Sequence, residues 1–340
     1  MNVFRYIFRR VLFGAGVLVA VVTMTFVLSR SLGGNTVMAW LGKSASIHPE
    51  LARLYAEKYH LNDPIPVQYY YYVLNLLQGN LGFSPSRGFE PVIQVIAETL
   101  PFTLQIAFCA FVISVVLGVA LGVLSAQYHK KPLDNCIRGF YLAGYSSPPF
   151  FVALILLILF AFIFHVLPSG GAFDLAVTPP TPITGLPIVD SLIEGNISYF
   201  VSGVQHLILP SFALALVTFG VLTRVLRSSL LDVMHANYIR TARAKGLDEN
   251  TVFFKHGLRN AMISVVTISS LMVTWLITGT IFVENIFAYP GMGQYLVTAL
   301  AAEDYPGILG VTMVFAVVIV ITNLIADILY AVVDPQVRLG

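Results

Sequence analysis

The 340 residues are 57% hydrophobic and only 11% charged, with a mean hydropathy of +0.82. Soluble domains carry about a quarter charged residues, so this composition excludes a soluble globular protein and describes a chain built around membrane-spanning segments. The formal net charge of +2 excludes nothing by itself, and the distribution of charge along the chain is what informs.

A helix needs about 20 apolar residues to cross the hydrocarbon core. Six stretches qualify: 11–32, 103–126, 140–167, 207–226, 261–283 and 308–332. The first comes after Arg5, Arg9 and Arg10, but its apolar run is too long for the h-region of a signal peptide and no small-x-small site succeeds it, so an uncleaved span is expected. Lys and Arg sort unequally on the two sides. Arg5, Arg9, Arg10, Lys130, Lys131, Arg138, Arg338 and a cluster after the fourth span fall on one side; Arg30, Lys43, Arg53, Lys58 and Arg87 fall on the other. Both termini and the cluster are therefore expected in the cytoplasm. The expected fold class is an all-α integral membrane protein of six transmembrane helices. It divides into the N-terminal segment with its span (1–32), an extracytoplasmic helical insertion (33–100) and a five-helix core (101–340) that includes a cytoplasmic loop at 224–260.

In the insertion, Asn62-Asp63-Pro64-Ile65-Pro66 is a turn signal, and the run Tyr69 to Tyr72 reads as an interfacial aromatic belt, with a sugar- or peptide-stacking platform as the alternative. The second span carries Gly118 and Gly122, a spacing that lets helices approach closely and is expected to serve packing within the chain. The third opens with Ser146-Ser147-Pro148-Pro149, where two prolines remove backbone donors and must break or bend the helix. Cys109 lies in an apolar run and Cys136 in a basic loop, at different depths, so no disulfide and no metal site is expected from them. After a Pro-, Gly- and Thr-rich loop, Asn196-Ile197-Ser198 matches an N-glycosylation acceptor on the outer side, a sequon that also recurs by chance.

In the fifth span, Thr267, Ser270, Thr274 and Thr278 lie along one helical face; they either line a pathway or bond to neighbouring helices. Asp327 stands as the carboxylate inside a span, with no cation read at its depth, a poor basis for a proton relay. The spans otherwise lack charge and show no inverted repeat, which disfavours the alternative of a stand-alone secondary carrier.

Seven of the 19 basic residues lie in 224–260: Arg224, Arg227, Arg240, Arg243, Lys245, Lys255 and Arg259. Within this loop, Asn237 is expected to cap a short helix, Gly246 to take the left-handed C′ position, and Leu247 to pack back on Ala242. Asp248 would then cap a second short helix that ends near Lys255 and Arg259. Two short helices meeting at a glycine make a compact protrusion suited to a groove on a partner, against the simpler reading of a basic hairpin on anionic lipid.

The run Tyr238-Ile239-Arg240-Thr241-Ala242-Arg243-Ala244-Lys245-Gly246-Leu247 resembles the EAA-type coupling loop of the ATP-binding-cassette importer permeases, in the dipeptide/oligopeptide permease family. Arg240-Thr241-Ala242 stands where that pattern has Glu-Ala-Ala, and Lys255 to Ala261 replaces its downstream Leu-Pro. Gly79-Asn80-Leu81-Gly82, Leu100 to Leu104, Ser147 to Phe150, His206 to Pro210, Tyr289 to Gln294 and Asp334-Pro335 resemble further family segments in family order, with Asn80 in place of the usual Asp. The resemblance implies one of two homologous permease subunits in a heterodimer, two cytoplasmic ATP-binding subunits docked on the loops through Tyr238, Arg240, Thr241, Ala242, Arg243, Lys245, Gly246 and Leu247, and an extracytoplasmic solute-binding protein. It implies the cell membrane of a bacterium or archaeon. The chain contains no Gly-x-x-x-x-Gly-Lys-Ser/Thr run, so it is expected to be a transport subunit rather than an enzyme and to bind no cofactor, ATP and magnesium residing on the partners. The solute class implied is a di- or oligopeptide, with oligosaccharide as the alternative and nickel disfavoured because no His, Met or Cys cluster lines the spans.

Overall fold

The computed structural model describes residues 3–31 and 49–333; Lys43, Arg338 and the Asp334-Pro335 pair lie outside the described residues. The first helix, α1, is Val3–Ser31. Next come two short helices, α2 (Pro49–Lys58) and α3 (Ile65–Leu77), and then a two-stranded hairpin, β1 (Phe83–Ser84) and β2 (Glu90–Pro91), which pairs Phe83 with Pro91. The remaining helices are α4 (Val92–Gln127), α5 (Pro132–Ser146), α6 (Pro149–Leu157, continued by a π-helical turn Ile158–Ile163), α7 (Pro187–Glu194), α8 (Ile197–Met234), α9 (Asn237–Ala244), α10 (Arg259–Ile286, preceded by a π-helical stretch Thr251–Leu258), α11 (Met292–Ala301) and α12 (Tyr305–Val333).

Among the described residues five helices are long and apolar enough to cross a membrane, and α5 with α6, bent by 109°, makes a sixth when the pair is counted as one broken span. The break falls at Ser147-Pro148. Pro148 and Pro149 have no N–H to continue the α5 ladder, and the hydroxyls of Ser146 and Ser147 bond instead to the carbonyls of Leu142 and Ala143. The expected third span, 140–167, is therefore corrected in its limits: helix begins at Pro132, within the segment expected to be loop, and ends near Ile163.

The molecule is built around α8. In its most apolar window 78% of residues are buried, against 17–39% for the other four unbroken spans, so α8 is the central post. Burial from lipid gives no hydrophobic driving force, and close van der Waals packing must hold membrane helices together. Helices α4 and α8 run parallel, with Gly118 against Leu222 and Gly122 against Leu226, where an added Cβ would meet the leucine Cβ at 2.6 and 3.0 Å. The small-residue spacing is thus used within the chain. On another face α5 runs antiparallel to α8, so close at Gly144 that a Cβ there would overlap the Leu216 carbonyl oxygen.

At the end of the bundle that carries the hairpin, two buried carboxylates fasten the surface segments. Asp304 accepts from the Ser84 hydroxyl, from the Ser86 hydroxyl (2.7 Å) and N–H (3.2 Å), and from Gly307 N–H (2.8 Å), joining the hairpin to the start of α12. Glu284, fully buried in the last turn of α10, accepts from Thr103 (2.8 Å) and from the N–H groups of Gly293 (2.6 Å) and Gln294 (3.1 Å) at the start of α11. A Cβ on Gly291 would overlap that carboxylate, which is why the Pro-Gly-Met-Gly turn carries glycine there. The tyrosine run is not a simple belt: Tyr69 and Tyr72 bond to Thr23 and Thr25 of α1, and Tyr71 stacks on His60. Asn80 accepts from Gly82 N–H at 3.1 Å through its carboxamide oxygen, as an aspartate could, and its amide nitrogen donates to Asn75 Oδ1 at 3.4 Å, as an aspartate could not. Asn196 caps α8 through Tyr199 N–H, and its side-chain nitrogen donates to the Thr178 carbonyl.

Asp327 also needs correction. It is not a lone carboxylate, because Arg10 of α1 lies 3.1 Å away, and Glu284 is a second carboxylate within a long apolar helix.

Candidate coupling site

The basic cluster resolves into parts with different jobs. Helix α8 continues to Met234, so Arg224 and Arg227 belong to it rather than to a loop. Arg227 is turned inward onto Asp134, and Arg224 lies over the Tyr145 ring at 6.0 Å. What protrudes is α9 and the turn after it.

Helix α9 starts one residue away from the expected cap. Ala236 holds the N-cap position and offers no side-chain bond, and Asn237 is the first helical residue. The C-terminus obeys the glycine rule in full. Gly246 has φ +76°, its N–H bonds to the Arg243 carbonyl (2.9 Å), and Leu247 N–H bonds to the Ala242 carbonyl (3.4 Å), the paired bonds of a Schellman motif. The Leu247 side chain, expected to pack back on Ala242, is left 40% exposed. Asp248 caps the next helical segment, accepting from Thr251 N–H at 2.9 Å, and this bond holds its carboxyl below the usual range. The expected second short helix is, however, the first turns of the fifth span, since Thr251–Ile286 is continuous. An apolar hinge replaces a free hairpin: Ile239 and Ala242 of α9 pack on Val252 and Met234.

Burial of Ile239 and Ala242 fixes the outward face. Tyr238, Arg240, Thr241, Arg243, Lys245, Gly246 and Leu247 are all exposed. Arg240, Lys245, Lys255 and Arg259 make no ion pair among the described residues, whereas Arg243 holds Glu249 by a fork of 2.7 and 3.2 Å across the Gly246 turn. The Arg243 guanidinium keeps the Glu249 carboxyl below its ordinary value. Glu249 escapes sequence reading because the pair spans six residues and depends on the turn rather than on helical spacing. The Tyr238 hydroxyl accepts from Asn260 at 3.1 Å, a second tie between α9 and the base of the fifth span.

The hydroxyl face of the fifth span is largely occupied. Thr267, Ser270 and Thr278 bond to carbonyls one turn back, and Thr274 donates to Asn323 of α12 at 2.7 Å. None of the four lines the groove of 520 Å³ that opens midway along α8, where Tyr145, Ser147, Pro149, Thr218, Leu271 and Trp275 come together beside the break in the third span. Among the described residues no charged one lines that groove.

Comparison with known proteins agrees across nearly the whole chain. Residues 118–339 match the family described as the binding-protein-dependent transport system inner membrane component, and residues 3–107 match the family of its N-terminal part. The chain is 37% identical over 333 residues to the oligopeptide transport system permease protein AppB of Bacillus subtilis, covering 98% of this chain and 99% of that protein. It is 36% identical over 324 residues to the probable D,D-dipeptide transport system permease protein DdpB of Escherichia coli K12, covering 95% and 94%. With the dipeptide transport system permease protein DppB of the same strain it shares 34% over 336 residues, 98% of each.

Proposed function

Because this chain belongs to the binding-protein-dependent transport system inner membrane components, the permease subunits of ATP-binding-cassette importers, we propose that it forms half of a peptide translocation path and receives its driving force at α9. The observation that carries this reading is the anchored but outward-facing α9. Its inner face is fixed by Ile239 and Ala242 to the ends of the fourth and fifth spans, and its outer face offers Arg240 and Lys245, which form no ion pair among the described residues, beside exposed Tyr238 and Leu247. A helix held this way cannot move without carrying those spans.

In this reading each of two ATP-binding subunits takes a coupling helix in a groove, one from this chain and one from a second, homologous permease. ATP and magnesium sit on those subunits, and their closure swings α9 and rocks the spans between inward- and outward-open forms. The solute arrives from an extracytoplasmic binding protein and passes along the neutral groove at mid-membrane, where size and shape rather than charge set what is admitted. The N-terminus, C-terminus and α9 face the cytoplasm of a bacterial or archaeal cell. The solute is a di- or oligopeptide, in keeping with the names of the similar permeases.

The docking test is Arg240→Glu in the assembled transporter. Arg240 would meet carboxylates or carbonyls, so reversing its charge is expected to weaken ATPase binding about tenfold, the worth of one charge-assisted contact. Unchanged binding would leave shape alone as the basis of docking. The solute class is tested by calorimetry of the cognate binding protein against peptides and oligosaccharides.

A further inference from the structure

A force applied at α9 must reach the groove, and the structure holds one side-chain cluster placed to carry it. Asp134, near the start of α5, is 1% exposed. Arg227 of α8 grips it side-on through one edge of its guanidinium, Nε to Oδ1 at 2.8 Å and Nη2 to Oδ2 at 2.7 Å. Ser125 of α4 donates to Oδ1 at 2.5 Å and the Lys130 N–H to Oδ2 at 3.1 Å, so each carboxylate oxygen accepts two bonds. His129 accepts from Arg227 at 2.9 Å. The bidentate fork defines a plane as well as a distance, and no other ion pair joins α5 to another helix among the described residues.

The position of this cluster gives it consequence. Arg227 lies two turns before the end of α8, and Met234, at that end, packs on Ile239, Ala242 and Val252. Above the cluster, α5 runs along α8 to Tyr145 and Ser147, which line the groove at the break in the third span. Glycine–leucine packing joins α4 to α8, and α5 meets α8 at the close approaches of Gly144 and Gly220 and through Ile137 and Tyr141 packed on Phe219; the Asp134–Arg227 fork adds a directional bond to that apolar contact. Resting on the coupling role of α9 stated above, we infer that Asp134 and Arg227 form a transmission clamp: they make α5 follow α8, so that movement at the cytoplasmic face shifts the groove wall at Tyr145 and Ser147. They are positioning residues and touch neither solute nor nucleotide.

The test uses the complete transporter in proteoliposomes with its binding protein, measuring solute taken up and ATP hydrolysed together. Variants are Asp134→Asn, Arg227→Lys and the exchange Asp134→Arg with Arg227→Asp. The expected result for Asp134→Asn and Arg227→Lys is a fall of about tenfold in solute moved per ATP, with ATPase subunits still bound and hydrolysis within about twofold of the parent. The exchange is expected to recover part of the ratio. An unchanged ratio, a parallel fall in uptake and hydrolysis, or failure of Arg227→Lys to assemble would each overturn the clamp and leave a structural role. Failure of the α9 reading looks different: removing residues 238–247 would then leave ATPase binding and uptake intact, while the clamp variants are judged only on the ratio in complexes that hold their ATPases.

Discussion

Gly246 and its neighbours show how much can rest on one backbone angle. At φ +76° an L-residue is strained, and Gly246→Ala is expected to cost about 1 kcal/mol in the turn. Because nothing lies within 4 Å of an added Cβ, the loss arises from the backbone alone. Thermal unfolding of the whole permease should hardly change, while ATPase affinity measured by surface-immobilised binding should drop several-fold. The Arg243–Glu249 pair adds a pH signature. Glu249 has its carboxyl lowered by Arg243, so the tie is present above the ordinary carboxyl range and is lost as pH falls through the lowered value. Hydrogen exchange over 243–249 should therefore quicken only once pH has fallen below the ordinary glutamate range, whereas Glu249→Gln should show the quick rate at neutral pH. Gly246 is readable from sequence because one residue type satisfies one conformation. Glu284, Asp304 and the Arg10–Asp327 pair are not, since each partner lies far along the chain or on another helix and no local pattern marks it.

Among the elements, the spans declare themselves by length and composition, and the proline break in the third span arises from missing donors. Two features do not. The π-helical stretch Thr251–Leu258 combines β-branched and aromatic residues with Gly257, a composition that weakens α-helix without specifying a π-turn, and Gly257 packs against Met234. The fusion of the expected second short helix with the fifth span is hidden because Asp248 signals a helix start without saying how long that helix runs. The contact of α5 with α8 gives an expectation at this scale. Gly144→Val places atoms where the Leu216 carbonyl stands, so the helices must separate at a cost of about 1–3 kcal/mol. The check is a lower melting temperature in detergent, together with loss of the monodisperse peak on size exclusion. Loss of the Glu284 carboxylate strands two N–H groups at the start of α11, and Glu284→Ala should destabilise the folded permease by about 1–3 kcal/mol in the same melting assay.

For the whole molecule, the apolar core and the proposed docking surface are separable. Helix α9 buries only Ile239 and Ala242, so removal of 238–247 should leave the bundle folded, with a small shift in melting temperature, and abolish recruitment of the ATP-binding subunits. The family pattern of short motifs made the architecture legible, but the groove was not. Thr267, Ser270, Thr274 and Thr278 share a face by period, yet the face that opens into space at the break is made of Ile268, Leu271, Met272 and Trp275. Periodicity reports which residues point the same way, and only the neighbours decide whether that direction is empty.

The central placement of α8 also bears on how the chain enters the membrane. Its best window has a mean hydropathy of 1.9, against 2.8 for α4, and the helix carries His206, Arg224 and Arg227. Taken alone it is a weak candidate for partition into lipid. The two helices that line its sides at Gly118, Gly122 and Gly144, and the carboxylate of Asp134 that receives Arg227, all precede it in the chain. Two of the surfaces that α8 packs against, α4 and α5, are therefore synthesised before it, and the fifth span that packs on it at Gly279 comes after. The order of the helices along the sequence is itself a device that lets one of the least apolar spans become the most enclosed.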